Sequence, residues 1–289
     1  MRKRRIGYVG ALGLALAVAI PSTAMATGTQ NVEAGFSPEN TIAVPPPPSV
    51  DVGTKNSKTG TLYTRLFLSD IPPGTQPSSA GVFDIHVSDD LTFTTQGLDQ
   101  CDPAEIQGQS ADAAKEICAD SLIGAGNATA ALGASGQTLA GPVALFNGTE
   151  QNGNPTVLFH STTGTPITLI SEMQDSSVYP GGTLFHTLVA ISAGGGVPDG
   201  TPIVDTDFTI NKNYKDQKLI KKAKKLLKKA KKASGSKAKR LKKKARKLKK
   251  KAKKSWVVGR CIDGTMDTQV VVTYTDGTTQ TANSSQTCT

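Results

Sequence analysis

A chain of 289 residues with a net charge of +10 and four cysteines is long enough for one large domain or two small ones. Only 5% of it is aromatic, while Gly, Thr, Ser and Val are abundant, which suits β structure with tight turns. One apolar run occurs, at the very start, and no second one is present, so the body of the chain holds nothing long enough to span a bilayer as a helix.

That first run comes after Met1-Arg2-Lys3-Arg4-Arg5. Fifteen residues from Ile6 to Ile20 carry no charge, Pro21 ends them, and Ala24-Met25-Ala26 comes next. A basic start, a short apolar stretch and small residues at positions −3 and −1 are the marks of a secretory signal peptide over residues 1–26. A membrane anchor needs about 20 apolar residues. The residues after Arg4-Arg5 fit twin-arginine export poorly. The expected mature chain, from Thr27 to Thr289, is therefore secreted, extracellular or held at the cell-envelope surface.

In an oxidising compartment four cysteines imply two disulfides. Pairing by proximity gives Cys101–Cys118 and Cys261–Cys288, one of three connectivities. There is no C-x-x-C spacing and no neighbouring histidine, so no metal is assigned to them.

Residues 27–58 read as a flexible lead-in with a stiff polyproline II step from Pro45 to Pro48. Strand signals then occur at 61–68, 81–87, 91–95, 156–160, 167–170, 183–192, 203–210, 255–261 and 268–274. Alternation is clear where Phe83, Ile85 and Val87 interleave with Asp84, His86 and Ser88. Pro103 to Ala119 has room for a short helix. Gly124-Ala125-Gly126 reads as a β-turn element, and Asp276-Gly277 supplies the positive-φ positions of a hairpin turn. Short strands with Gly and Pro punctuation and no βαβ rhythm predict a mainly β fold, an antiparallel β-sandwich. Its first part covers 59–211 and its closing strands 255–289.

Between these parts lies an abrupt change of charge. Residues 212–254 hold 24 of the 33 Lys and Arg and a single acid, Asp216, for a net of +23. Outside this stretch and the signal peptide, five cations face 22 acids, for a net of −17. Leu219, Ala223, Leu226, Ala230 and Ala233 step by 4, 3, 4, 3, and Ala238, Leu241, Ala245, Leu248 and Ala252 by 3, 4, 3, 4. These are two heptad seams, joined by Ser234-Gly235-Ser236, and they predict an inserted Lys-rich antiparallel αα-hairpin. Its ends return together, so it fits between strands 203–210 and 255–261, which are expected to pair directly. Tyr214 and Trp256 flank the junction and are expected to pack at its base.

Some of these residues resemble a known family. Cys101…Cys118-Ala119-Asp120-Ser121-Leu122-Ile123-Gly124-Ala125-Gly126-Asn127-Ala128 is similar to a C…C-x-x-S-x-I/V-G-x-G-x-A block of uncharacterised secreted β-sandwich proteins of soil actinobacteria. Gly141-Pro142-Val143-Ala144-Leu145-Phe146-Asn147-Gly148 resembles the G-P-V-x-x-F/Y-N-G segment next to it in that family. Cys261-x-x-Gly264 and the run from Thr273 to Thr279 resemble its closing strands. The likeness covers residues 60–289 apart from the lysine insert, which departs from the pattern. It implies a secreted, disulfide-bonded β domain, and no activity.

No catalytic motif stands out: G-x-S-x-G, H-E-x-x-H and a paired-carboxylate signature are all missing from the sequence. His86, His160 and His186 are scattered over strands and assign no metal. The chain is thus expected to be no enzyme and to carry no cofactor. The candidate binding residues are the hairpin cations. They are Lys221, Lys222, Lys224, Lys225, Lys228, Lys229, Lys231 and Lys232 in the first half. In the second half they are Lys239, Arg240, Lys242, Lys243, Lys244, Arg246, Lys247, Lys249, Lys250 and Lys251. Like charges at i, i+3 and i+4 repel by a few tenths of a kcal/mol per pair, so the hairpin calls for counter-charge. The expected partners are anionic envelope polymers or lipid headgroups, extracellular nucleic acid without sequence specificity, or the acidic body of a second copy in salt-sensitive self-association. A membrane-active role is a weaker reading because the apolar stripe is narrow.

Overall fold

The computed structural model describes residues 28–39, 42–132, 137–189 and 202–289. The signal peptide, and the end of the strand expected over 183–192, lie outside them. The chain opens with β1 (Thr29–Ser37), β2 (Ser49–Val50), β3 (Lys58–Thr59), β4 (Thr61–Ser69), β5 (Ala80–Val87) and β6 (Leu91–Phe93). Two short helices come next, α1 (Pro103–Ile106) and α2 (Ala111–Ile117). Then come the long strands β7 (Leu122–Leu132), β8 (Gln137–Gln151), β9 (Asn154–Ser161), β10 (Ile167–Asp175), β11 (Thr183–Leu188) and β12 (Ile203–Ile210). A two-stranded ladder of β13 (Asn213–Lys215) and β14 (Lys253–Ser255) brackets helices α3 (Gln217–Lys231) and α4 (Gly235–Lys251). The chain ends with β15 (Val257–Gly259), β16 (Thr265–Tyr274) and β17 (Thr279–Cys288).

Twelve strands form one sheet in the order β1-β4-β12-β7-β8-β9-β10-β11-β5-β16-β17-β2. The mainly β expectation holds. In place of the two separate layers of a sandwich, however, the sheet rolls into a nearly closed barrel in which β17 comes back beside β1. The seam is sealed by side chains: Gln30 N donates to Gln280 Oε1 (2.6 Å), Ala34 N to Ser284 Oγ (3.1 Å) and Phe36 N to Gln286 Oε1 (2.8 Å). Each pair is 250 residues apart, so the two strands run parallel. A side chain long enough to reach the partner's N–H satisfies an edge that would otherwise be an exposed pairing template.

Alternation turns one face of a barrel strand inward where nothing covers its other face, as on β16. Along β16, Met266, Thr268, Val270, Val272 and Tyr274 are buried and their neighbours are partly exposed. Phe36, Leu66, Ile85, Leu145, Phe185 and Val270 meet inside as the main core. The small sheet β3-β15-β6 plugs one end of the barrel, where Leu91 and Val257 join the main core and Gly259 lies against Phe36. There Trp256 is fully buried and its ring lies 5.1 Å from Phe93 and 6.3 Å from Phe185, between centroids.

A second core forms on the outside of the barrel. The disulfide Cys101–Cys118 closes a loop carrying α1, capped by Asp102, and α2, capped by Ser110. Ile106 and Ala114 from this loop cover Ala144, Phe146 and Leu158 on β8 and β9. The Cys261–Cys288 bond ties the plug to β17. Both disulfides are the pairs nearest in sequence.

Several expectations need correction. The lead-in 27–58 contributes β1, because Gln30, Val32 and Ala34 are buried at alternate positions, Phe36 continues the series, and the strand pairs with β4. Gly124 and Gly126 are not turn residues but lie inside β7. A Cβ on Gly126 would sit 1.8 Å from Asp207 O, so glycine is what lets β12 lie against β7. Strands β12 and β15 do not pair with each other: β12 pairs with β4 and β7, and β15 with β3 and β6. The strand expected over 255–261 is split between β14 and β15, because the chain leaves the hairpin and enters the plug within those residues.

Candidate functional site

The lysine-rich segment leaves the barrel where β12 ends. Residues 213–215 and 253–255 form the antiparallel β13–β14 ladder, and Asp216 N donates to Ala252 O at 2.8 Å. The segment therefore starts and finishes at one point. Tyr214 is buried beneath it, its hydroxyl within bonding distance of Thr94 O (3.1 Å) and Gln96 O (2.9 Å). Burial, with the Asp216 charge beside it, pushes the Tyr214 hydroxyl up to about 12, so it stays a donor at any physiological pH. Trp256 anchors the other side through Trp256 N to Lys212 O at 2.9 Å. The aromatic pair expected at the base is there.

Asp216, the one acid of the segment, caps α3: its Oδ1 accepts from Leu219 N at 3.0 Å. A carboxylate at this position satisfies a free N–H and complements the positive end of the helix. The cap is covered by residue 97, where φ is +83° and a Cβ would come within 3.1 Å of Asp216 Cγ, so glycine fits there for two reasons.

Within the helices the apolar positions face each other. Ala223 and Ala230 of α3 and Ala245 of α4 are buried, and the leucines between them are half-buried. The small alanines let the backbones approach closely. All eighteen candidate cations, from Lys221 to Lys251, are exposed. Among the described residues no salt bridge involves any of them. Lys228, Lys229 and Lys231 in the last turn of α3 and Lys249, Lys250 and Lys251 in that of α4 favour the negative poles of their helices, whereas the other lysines have no salt-bridged counter-charge among the described residues. About ten like-charged i, i+3 and i+4 pairs along α3, each costing about 0.2–0.5 kcal/mol, oppose the helix by about 2–5 kcal/mol. The arrangement is a rod of positive charge, about 25 Å long at about 1.5 Å per residue, set on an acidic body.

The histidines are not brought together into a site. His160 is fully buried under α2, with Nε2 3.0 Å from Gln109 O and Nδ1 3.0 Å from Thr168 Oγ1. A carbonyl can only accept, so Nε2 carries the proton and Nδ1 accepts from Thr168. Burial lowers the pKa of this ring. His86 Nδ1 lies 3.0 Å from Ser176 Oγ, and His186 Nδ1 lies 2.6 Å from Asp84 Oδ1.

Among the described residues, the one group of three ligand-type atoms is Asp90 with Cys261 and Cys288, and its sulfurs are already bonded to each other. Asp90 instead holds the plug: its Oδ1 accepts from Ile262 N at 2.6 Å and its Oδ2 from Ser88 Oγ at 3.0 Å. Burial raises its pKa. Sequence reasoning passed over Asp90, since Asp89-Asp90 next to a strand looks like a solvated turn. No helix among the described residues is long and apolar enough to cross a membrane. Compared with known proteins, the chain matches no family model and no curated protein, so the functional reading rests on the chemistry of the hairpin.

Proposed function

We propose that this is an exported, non-enzymatic protein of the cell envelope or extracellular space that holds polyanions along its antiparallel basic hairpin. The observation that carries the reading is the set of eighteen exposed cations, none of which forms a salt bridge among the described residues. Lysine is a compact point charge suited to many approximate contacts rather than to one fixed geometry. No aromatic side chain lies between Gln217 and Lys251, so bases are not stacked or read, and binding tracks charge density. The body, at −17, repels the same ligand and confines it to the hairpin. Anionic lipid headgroups, phosphate-linked or acidic envelope polymers and extracellular nucleic acid share the required chemistry.

The hydrogen-bonded ends of the hairpin offer a clean test. Residues 217–251 are replaced by a two-residue turn closing β13 on β14, which leaves the barrel intact. The intact protein should bind polyphosphate, anionic vesicles and duplex DNA in low salt, and the shortened one should bind none of them. Equal binding by both proteins overturns the proposal.

A second reading has its own support. Asp99, Asp102, Glu105, Asp112, Glu116 and Asp120 are all exposed on or beside the disulfide-bonded loop, and the hairpin of a second copy is complementary to them in charge. Light scattering separates the two readings. A monomer at low as well as high salt removes self-association.

A further inference from the structure

The barrel is plugged at the end from which the hairpin leaves, but near the opposite end it holds a cavity. Strand β12 runs from one to the other: Ile203 lines the cavity and Ile210 leads to the hairpin. The cavity has a volume of about 70 Å³ and opens to solvent at its mouth. Its wall comes from eight consecutive strands of the sheet, β4, β12, β7, β8, β9, β10, β11 and β5. Phe83, Phe159, Ile167, Ile203 and Phe208 supply most of the bulk. Space is left because Ala128 and Ala130, inward residues of β7, are small where their neighbours are large.

The hydroxyls of the wall are mostly occupied. Thr163 Oγ1 donates to Ala128 O (3.2 Å), Thr206 Oγ1 to Asn127 O (3.1 Å), and Ser161 Oγ to Thr163 Oγ1 (3.1 Å). They have been turned back onto the protein and leave an apolar interior. A different hydroxyl stands just beyond the lining residues, further along β10 on the face of Ile167 and Leu169. Ser171 is fully buried, pairs in register with the cavity residue Thr187, and its Oγ has no hydrogen-bond partner. Unpaired buried hydroxyls are rare because each loses its hydrogen bonds to water and gains none. Apolar pockets with a few placed polar groups at the mouth or inside a barrel are the usual form of small-molecule sites.

We propose that the open end of the barrel is a binding site for a small neutral molecule, a short hydrocarbon chain bearing one oxygen, with the oxygen turned toward Ser171. The volume sets the size. A 150 Å³ apolar cavity is known to take benzene, so about half that volume admits a chain of roughly three or four carbons. Charged analogues are excluded, because among the lining residues none carries a charge to pair with them. The site is independent of the hairpin in both position and chemistry.

The test is methyl NMR of the full mature chain, titrated with 1-butanol as the probe and with butyrate and butylamine as charged controls. Butanol should shift the methyls of Ile85, Ile167, Leu169 and Ile203 saturably, in the millimolar range expected of so few atoms, and the charged analogues should not. Ala130→Leu fills the cavity and should weaken butanol at least tenfold; Ala128→Val, a smaller filling, serves if the first variant fails to fold. Ser171→Ala should weaken butanol several-fold without altering the fold. Absence of cavity shifts at tens of millimolar butanol, or shifts that survive both filling variants, overturns the proposal. Contacts from Ile191 or Val197 methyls to the cavity in the ligand-free protein do so as well, since the chain would then fill its own site.

Discussion

If the hairpin binds by charge alone, the salt dependence of its affinity counts the contacts it makes. The two helices are about 22 and 25 Å long at about 1.5 Å per residue, and a duplex presents a charge every ~1.7 Å of its axis. About 15 phosphates therefore fall within reach of the rod. A rod lying on a polyanion uses one side, about a third of its eighteen exposed cations, or about six. At about −0.9 per contact, log K against log salt should have a slope near −5. Lys224, Lys228 and Lys231 share one flank of α3, and Lys222, Lys225 and Lys229 share the other. Changing the flank in contact to glutamine removes three contacts, lowers the slope by about 2.7 and weakens binding about a hundredfold at physiological salt. Fluorescence anisotropy of a labelled duplex, measured over a salt series for each triple variant, reads both quantities. If neither triple changes slope or affinity, the charge-rod account is wrong.

Two further outcomes concern the barrel. Gly126→Ala should lower stability by about 1–3 kcal/mol, because a Cβ there meets Asp207 O at 1.8 Å and forces β7 from β12; an unchanged denaturant midpoint contradicts the packing. Burial holds His160 neutral and its folded pKa below that of the unfolded chain, so its contribution is complete above about pH 6.5 and is lost as pH falls through the lower, folded value. Asp90, raised by burial, behaves oppositely: its contribution is complete below the unfolded carboxyl pKa of about 4 and is lost as pH rises through the folded value. Thermal melts against pH should show both slopes in the native chain, with the first lost in His160→Gln and the second in Asp90→Asn; parallel curves refute the assignment.

The parts of this molecule that could be read from its residues are those governed by local rules. A seam of Ala223, Ala230 and Ala245 at heptad spacing buries those same residues in the structure, because a helix repeats every few residues and needs no distant partner to declare its faces. The disulfides reflect short spacing, since close cysteines rarely find a better partner than each other. Trp256 and Tyr214 at the junction were legible for the same reason. The strands of the block from Cys118 to Gly148 were less so. Glycine and alanine dominate β7, and their small side chains carry little alternation, although their smallness is what the neighbouring strand requires. Strand β1 hid in a stretch rich in proline and polar residues. Its partner β4 is adjacent enough to guess, whereas β17, some 250 residues away, is not.

The sequence alone determined that the fold is mainly β, that a basic helical segment of net +23 interrupts an acidic body of net −17, and which cysteines lie nearest one another. Only the tertiary structure decided that the strands roll into a single nearly closed barrel, that side chains of β17 seal β1, that Asp90 is buried and not solvated, and that one end of the barrel is plugged while the other holds a cavity. The reason is physical. Charge and helical periodicity are properties of neighbouring residues, whereas barrel closure and cavity depend on pairings between strands far apart in the chain, where a residue's own identity says which face is apolar but not which distant strand will cover it.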